Sequence, residues 1–408
     1  MADYRERVSA LSPEQRRLLA ERLRRGRLPG DVADRTVPRG HESNRPDNTP
    51  SGRPMAFSLF FFSADGATNQ PDKYRLLLES ARFADKHGLA AVWTPERHFQ
   101  GFGGLYPNPS LLAAALAMVT DRVQIRAGSL VLPLHHPARV AEEWAVVDNL
   151  SRGRAGISFG SGWHPQDFLL APESYASRRE FTLRHIQTIR DLWAGKKVRF
   201  SDPDGSEYEV AVLPRPIQAE IPIWISIAGN PQSWIEAGQL GANVLTTFVS
   251  QPPDELSRRI CLYHDALRSN GFRPERSTVT VMVHTFLGED DELVKDRVRE
   301  PLMQYLRSFL EQKEDLLPGG VRSGGGMQEA DKNAMVRAAF ERYFKDQALL
   351  GTPQKCIGLV EQLLDLGVAE IACLIDFGLD ADAVMGGLEH LARLQSCYDG
   401  RGRGASIE

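Results

Sequence analysis

The sequence predicts a parallel α/β barrel, a (β/α)8 TIM barrel with insertions, preceded by a short helical arm and a linker. Three observations carry that expectation. After Met55, eight short apolar stretches are each followed by helical patterning. Polar, ionisable residues gather directly behind several of those stretches, where parallel barrels keep their chemistry. The chain beyond residue 55 is also longer than a typical barrel, which calls for insertions rather than for another fold.

Strands are expected at Phe57–Phe62, Ala90–Trp93, Val123–Leu132, Arg154–Phe159, Ile223–Ile227, Asn243–Thr247, Thr278–Phe286 and Glu370–Leu374. Helices are expected at Asp72–His87, Pro109–Thr120, Pro137–Leu150, Ser177–Trp193, Gln232–Gln239, Asp254–Asn270, Glu289–Glu311 and Pro353–Leu366, with a last one from about Asp380 to Cys397. Lys197–Pro214, with its Asp204-Gly205 turn signal, reads as a small β-like excursion. Leu317–Gln347, with a Gly324-Gly325-Gly326 run, reads as an insertion, either a lid or a passive loop.

Residues 1–54 contain no Lys and many Arg. Ser12-Pro13-Glu14-Gln15 is a helix-start pattern, with a cap, a first-turn proline and a glutamine that reaches back. A helix at about 12–25 and a linker at about 29–54 follow, so the chain divides into an arm (1–54) and a barrel domain (55–400).

A net charge of -4 gives no electrostatic footprint for nucleic acid or an anionic membrane. Leu111–Val119 is the longest apolar run and is too short to cross a bilayer. Cys261, Cys356, Cys373 and Cys397 show no C-x-x-C spacing, so no metal site is expected and a reducing cytoplasm is the default compartment.

Five segments could carry chemistry. Glu96-Arg97-His98 follows the second strand; a histidine there can exchange a proton near neutrality, although a surface ion pair has the same composition. Gly128-Ser129 places small residues inside the third strand, either for close ligand approach or as a β-bulge. Gly160-Ser161-Gly162-Trp163-His164-Pro165 ends the fourth strand with backbone N–H groups free to face a ligand. Tyr175 and the pair Arg178-Arg179 lead the next helix. Ala228-Gly229-Asn230-Pro231-Gln232-Ser233 is a strand, a glycine turn and a helix start, and a helix N-terminus attracts phosphate. His136 and Asp148–Arg154 read as structural. So does Gly351-Thr352-Pro353, with Thr352 as cap and Pro353 in the first helical turn.

Glu96-Arg97-His98-Phe99, Phe102-Gly103, Asn108-Pro109, Gly128-Ser129, Gly229-Asn230 and Gly351-Thr352-Pro353…Cys356-Ile357 occur in an order that resembles the luciferase-like flavin monooxygenase family. The subgroup found in nonribosomal peptide and polyketide assembly lines looks most similar, and Leu11–Leu19 resembles the lead-in helix of such modules. The resemblance implies a barrel of the luciferase-like type using FMN, supplied reduced by a separate flavin reductase, since no nicotinamide fingerprint is present. It implies His98 and Arg97 acting on the oxygen-bearing flavin or the substrate head group, oriented by Glu96, with His164 at the pocket mouth. It implies flavin contacts from Gly128, Ser129, Gly160, Ser161, Tyr175, Gly229, Asn230 and Ser233, and a non-proline cis peptide at Gly128-Ser129. The products would be C- or N-hydroxylated, or would carry an inserted oxygen. The substrate would be a small molecule, free or tethered to a carrier protein, and the assembly a homodimer. A deazaflavin dehydrogenase and a non-catalytic flavin-binding protein share the fold. Two departures stand out: Arg97 replaces the first histidine of the family's Glu-His-His-Phe stretch, and Ser161 replaces a phosphate-binding Arg of bacterial luciferase.

Overall fold

The computed structural model describes residues 50–63, 72–248, 251–314 and 329–399. The expected N-terminal arm lies almost wholly outside them. The strands are β1 (Ala56–Phe60), β2 (Ala91–Thr94), β3 (Gln124–Val131), β4 (Ala155–Gly160), β5 (Val198–Ser201), β6 (Glu207–Val210), β7 (Ile223–Ile227), β8 (Asn243–Thr247), β9 (Val279–Leu287), β10 (Leu349–Gly351) and β11 (Glu370–Leu374). The helices are α1 (Arg75–His87), α2 (Pro109–Ala117), α3 (Pro137–Ser151), α4 (Arg178–Trp193), α5 (Pro231–Gln239), α6 (Pro253–Ser269), α7 (Asp291–Glu314), α8 (Glu329–Arg342), α9 (Pro353–Asp365) and α10 (Ala381–Ser396).

Eight parallel strands close into a barrel in the order β1-β2-β3-β4-β7-β8-β9-β11, with β11 returning to β1. Closure leaves the strands covered on both faces, which is why β1, β7 and β11 read as nearly unbroken apolar runs. Helix starts follow local chemistry. Asn108, His136, Asn230 and Thr352 each accept a backbone N–H at the head of α2, α3, α5 and α9, and each is followed by proline.

The barrel floor is polar. Arg126 on β3 donates from Nη1 to both oxygens of Glu370 on β11, at 2.9 and 2.8 Å. The guanidinium lies 4.7 Å from the Trp93 ring and 4.3 Å from that of Trp224. Ser58 Oγ donates to Glu370 at 2.6 Å, and Trp93 Nε1 donates to Ser58 Oγ at 2.9 Å. Burying an ion pair is costly unless hydrogen bonds satisfy it, and here they do.

Lys197–Pro214 contains the expected excursion, the antiparallel hairpin β5–β6. The expected Gly-rich insertion differs. Residues 315–328 lie outside the described set, but 329–342 form helix α8 and β10 adds to the far end of β9. Only Lys332, Val336 and Phe340 of α8 are buried, a single row too narrow to reveal a helix in the sequence. Asp148 confirms the structural reading of its segment. Its carboxylate accepts the Ile217 and Gln218 backbone N–H groups at 2.7 and 2.9 Å.

Candidate active site

β2 ends at Thr94 and delivers Glu96, Arg97 and His98 to the carboxyl-end mouth of the barrel. The Glu96 side chain is fully buried. Its Oε1 accepts from His135 Nε2 at 2.6 Å and from His98 Nε2 at 3.0 Å, and its Oε2 accepts the Val131 backbone N–H at 2.6 Å. Burial opposes the charge on Glu96. The hydrogen bonds from His135, His98 and Val131 outweigh it and hold the carboxyl below its ordinary range. Burial also works against protonated His135, but Glu96 overcomes that and raises its pKa.

Arg97 turns away from Glu96. Its side chain is 2% exposed, with Nε 3.6 Å from Asp167 Oδ2. Nη2 donates to Gln312 Oε1 at 3.4 Å. The guanidinium faces the Trp163 ring at 4.7 Å and the Phe62 ring at 5.9 Å. Burial lowers the Arg97 pKa against the pull of Asp167, and burial raises that of Asp167 against the pull of Arg97. The pair is therefore loose. Asp167 Oδ1 is already used, accepting the His98 backbone N–H at 3.1 Å. The orienting role expected of Glu96 thus reaches His98 and not Arg97.

Strands β3, β4 and β7 are neighbours, so their ends bring Gly128, Ser129, Gly160, Ser161 and Gly229 into one arc, which does not include Tyr175. The Gly128–Ser129 peptide is cis, and the ladder with β4 shifts register between Gly128 and Leu130. A Cβ on Gly128 would come within 2.8 Å of Phe60 and 3.0 Å of Trp93, so the core itself requires glycine here. A Cβ on Gly160 would come within 2.8 Å of Ser129 Oγ, which shows how closely the ends of β3 and β4 approach. Ser161 is half-buried.

After β7, Gly229 and Asn230 are exposed, and a Cβ on Gly229 would meet nothing within 4 Å. Asn230 Oδ1 accepts the Gln232 backbone N–H at 3.0 Å, and the Ser233 backbone N–H donates to the Asn230 carbonyl at 3.1 Å. The α5 N-terminus thus opens beside bare backbone.

Other expected residues are engaged locally. His164 is buried, and its Nδ1 accepts the Gln166 backbone N–H at 3.3 Å, capping the short helix Pro165–Leu170. The Tyr175 ring packs on Phe168 with 5.0 Å between centroids and beneath the Arg178 guanidinium at 4.3 Å. Arg179 donates to both Glu236 oxygens, at 2.8 and 2.7 Å, which ties α4 to α5. Both arginines of the pair are partnered, Arg178 by the Tyr175 carbonyl and Arg179 by Glu236.

Four residues enter the site that sequence reasoning did not select: His135, Asp167, Tyr305 and His284. His135 sits beside His136, and only geometry shows that His136 caps α3 while His135 binds Glu96. His284 lies on β9 with its ring against Tyr305, Tyr343 and Phe377 at 5.0, 5.3 and 5.7 Å. Both its nitrogens are buried with no hydrogen bond among the described residues, and burial pushes its pKa down to about 3, so it is neutral. A histidine inside an otherwise apolar strand was the available signal.

Residues 55–370 match the family described as luciferase-like monooxygenase. The chain belongs to that family. It is similar to the oxygenase component of a flavin-dependent trigonelline monooxygenase from Acinetobacter baylyi, at 26% identity over 83% of this chain and 93% of the relative. It is also similar to an alkanal monooxygenase alpha chain from Photorhabdus luminescens, at 23% identity over 79% and 90% of the two chains. Among solved structures, the monooxygenase RslO1 of Streptomyces bottropensis superposes with a TM-score of 0.67 at 22% identity, covering 83% of this chain and 98% of that one. The oxygenating constituent of 3,6-diketocamphane monooxygenase of Pseudomonas putida, in complex with FMN, gives 0.66 at 18% identity over 85% and 98%. An F420-dependent secondary alcohol dehydrogenase shares the fold, with a TM-score of 0.62 at 19% identity, covering 85% of this chain and 99% of that one. This member of the luciferase-like family therefore has the family barrel.

Proposed function

We propose that this protein is the oxygenase of a two-component system. It takes reduced FMN from a separate flavin reductase and uses O2 to oxygenate a natural-product intermediate, either free or tethered to a carrier protein. The observation that carries this reading is Gly229. It presents backbone to open space at the N-terminus of α5, on the same rim as Glu96, Arg97 and His98. Helix N-termini favour phosphate. The residues present fit a flat cofactor with an anionic tail: Gly229, Asn230 and Ser233 for the phosphate, and Gly128, Ser129, Gly160, Ser161 and Tyr175 along the ring.

Bound reduced FMN supplies the electrons that activate O2. The chain's own residues bind, orient and exclude water. Glu96 receives Nε2–H of His98, which leaves His98 Nδ1 as the nitrogen able to accept a proton. His164 backs the same mouth. The oxygen is delivered to carbon, to nitrogen or into a C–C bond.

We further propose a homodimer built on α2 and α3. Leu111 and Met118 are 69% and 70% exposed, and Val146 and Leu150 on the adjoining α3 are also exposed. Exposed apolar side chains on neighbouring helices favour such an interface. The four cysteines are all free, which supports a reducing cytoplasm.

Anaerobic titration with reduced FMN, run beside reduced F420, tests the cofactor. Saturable binding of reduced FMN at least about tenfold tighter, or about 1.4 kcal/mol, is expected. The opposite order would replace this reading with a deazaflavin dehydrogenase.

A further inference from the structure

Arg97 has a buried charge and no full complement of partners. Its Nε and Nη1 are buried and make no hydrogen bond among the described residues. Its contact with Gln312 is long, and Asp167 stands outside hydrogen-bond reach at 3.6 Å. A guanidinium presents a planar fork that matches a carboxylate with two parallel bonds, and native interiors rarely leave such donors empty. Asp167 Oδ1 serves the His98 backbone, and Oδ2 faces Nε from 3.6 Å, so Asp167 balances the charge without filling the fork.

The surroundings of the fork are aromatic. Trp163 and Phe62 face the guanidinium. Phe102 packs on Phe62 at 5.1 Å and on Tyr305 at 4.8 Å, and Phe309 lies 6.5 Å from Trp163. Phe309 is shared with a groove of about 730 Å³ walled by Phe248, Leu306, Leu310, Val336 and Tyr343. That volume suits a ligand of small-molecule size. The rim of the groove comes from α7 and α8. His284, with both nitrogens unbonded, contacts Tyr305 and Tyr343 from the barrel side and offers one neutral donor and one neutral acceptor.

We propose that Arg97 is the receptor for a carboxylate on the substrate, and that the substrate is an apolar acid whose hydrocarbon or aromatic body lies against the Trp163–Phe309 wall and in the groove beyond. This deepens the oxygenase reading and rests on it. An acyl thioester has already spent one carboxylate, so a carrier-tethered substrate would need a second acid group.

The test is calorimetric and needs no turnover. 4-Phenylbutyrate and octanoate are titrated into the full-length protein, with 4-phenyl-1-butanol and octan-1-ol as neutral counterparts. Wild type, Arg97→Met and Arg97→Lys are compared. Wild type is expected to bind each acid about 10- to 100-fold more tightly than its alcohol, the range of a charge-assisted pair. Arg97→Met is expected to lose that preference to within about twofold and Arg97→Lys to keep part of it, since a point charge lacks the fork. Thermal melts of each variant show that binding is compared between folded proteins; should Arg97→Met not fold, the Arg97→Lys comparison decides. Equal affinity of acid and alcohol in wild type, or a preference unchanged in the folded variant, would overturn the inference. Reduced FMN is titrated into the same samples. FMN binding without acid selectivity sinks only the Arg97 assignment, whereas Arg97-dependent acid binding without FMN binding sinks only the cofactor reading.

Discussion

Replacing Glu96 by glutamine removes one charge and almost no volume, so its effect isolates the buried carboxylate. In the native protein one oxygen accepts from His135 and His98 and the other from the Val131 backbone. A glutamine can present only one acceptor oxygen, so its amide must point at a donor on one side. Removing one member of a buried charged pair costs about 3–5 kcal/mol. The pH dependence gives a second handle. The Glu96 pKa is lowered, so its contribution is complete above the ordinary carboxylate value and is lost as pH falls through the lowered one. The His135 pKa is raised, so its contribution is complete below the ordinary imidazole value and is lost as pH rises through the raised one. Stability from this pair therefore peaks between the two. Urea unfolding from acid to mildly alkaline pH, on wild type and Glu96→Gln, should show the gap largest in that window and shrinking on both sides. Nitrogen NMR of labelled histidines should show the His135 pKa falling in the variant, because burial is then opposed by the Glu143 charge without that of Glu96. A variant as stable as wild type at neutral pH, or with the His135 titration unmoved, would refute the view that Glu96 is ionised and paired.

Glu370→Gln leaves Arg126 buried between Trp93 and Trp224 without its counter-charge, and a loss of about 3–5 kcal/mol is expected by chemical denaturation. Arg126→Met in the same chain should recover part of it. Gly229→Val adds a side chain whose Cβ meets nothing within 4 Å among the described residues, so stability should change by less than about 0.5 kcal/mol while reduced-FMN affinity falls about tenfold or more; unchanged affinity would remove Gly229 from the phosphate site. His284→Phe exchanges an unbonded imidazole for an apolar ring among aromatic neighbours, and a gain of about 1 kcal/mol in unfolding free energy is expected, with a loss indicating a hidden partner.

Much of the barrel was legible because parallel strands buried on both faces write themselves as apolar runs, and because Asn108, Asn230 and Thr352 announce helix starts ahead of prolines. The hairpin β5–β6 was legible from a turn dipeptide. Helix α8 was not, since it buries one narrow row. Within the site, Glu96, Arg97 and His98 were visible as a polar cluster behind an apolar strand. Their division of labour was not. Adjacent residues in the sequence point in different directions here, Glu96 toward His98 and His135, and Arg97 toward Asp167 and Trp163.

By itself the sequence determined the order of strands and helices and the loops that carry ionisable groups. Those are local properties: periodicity, capping and residue type act over a few positions along the chain. Tertiary structure alone decided which histidine binds Glu96, which arginines are already paired, and that Arg97 and His284 are buried without full hydrogen bonding. Those depend on groups brought together across the barrel from segments up to hundreds of residues apart, and no local pattern encodes such a meeting.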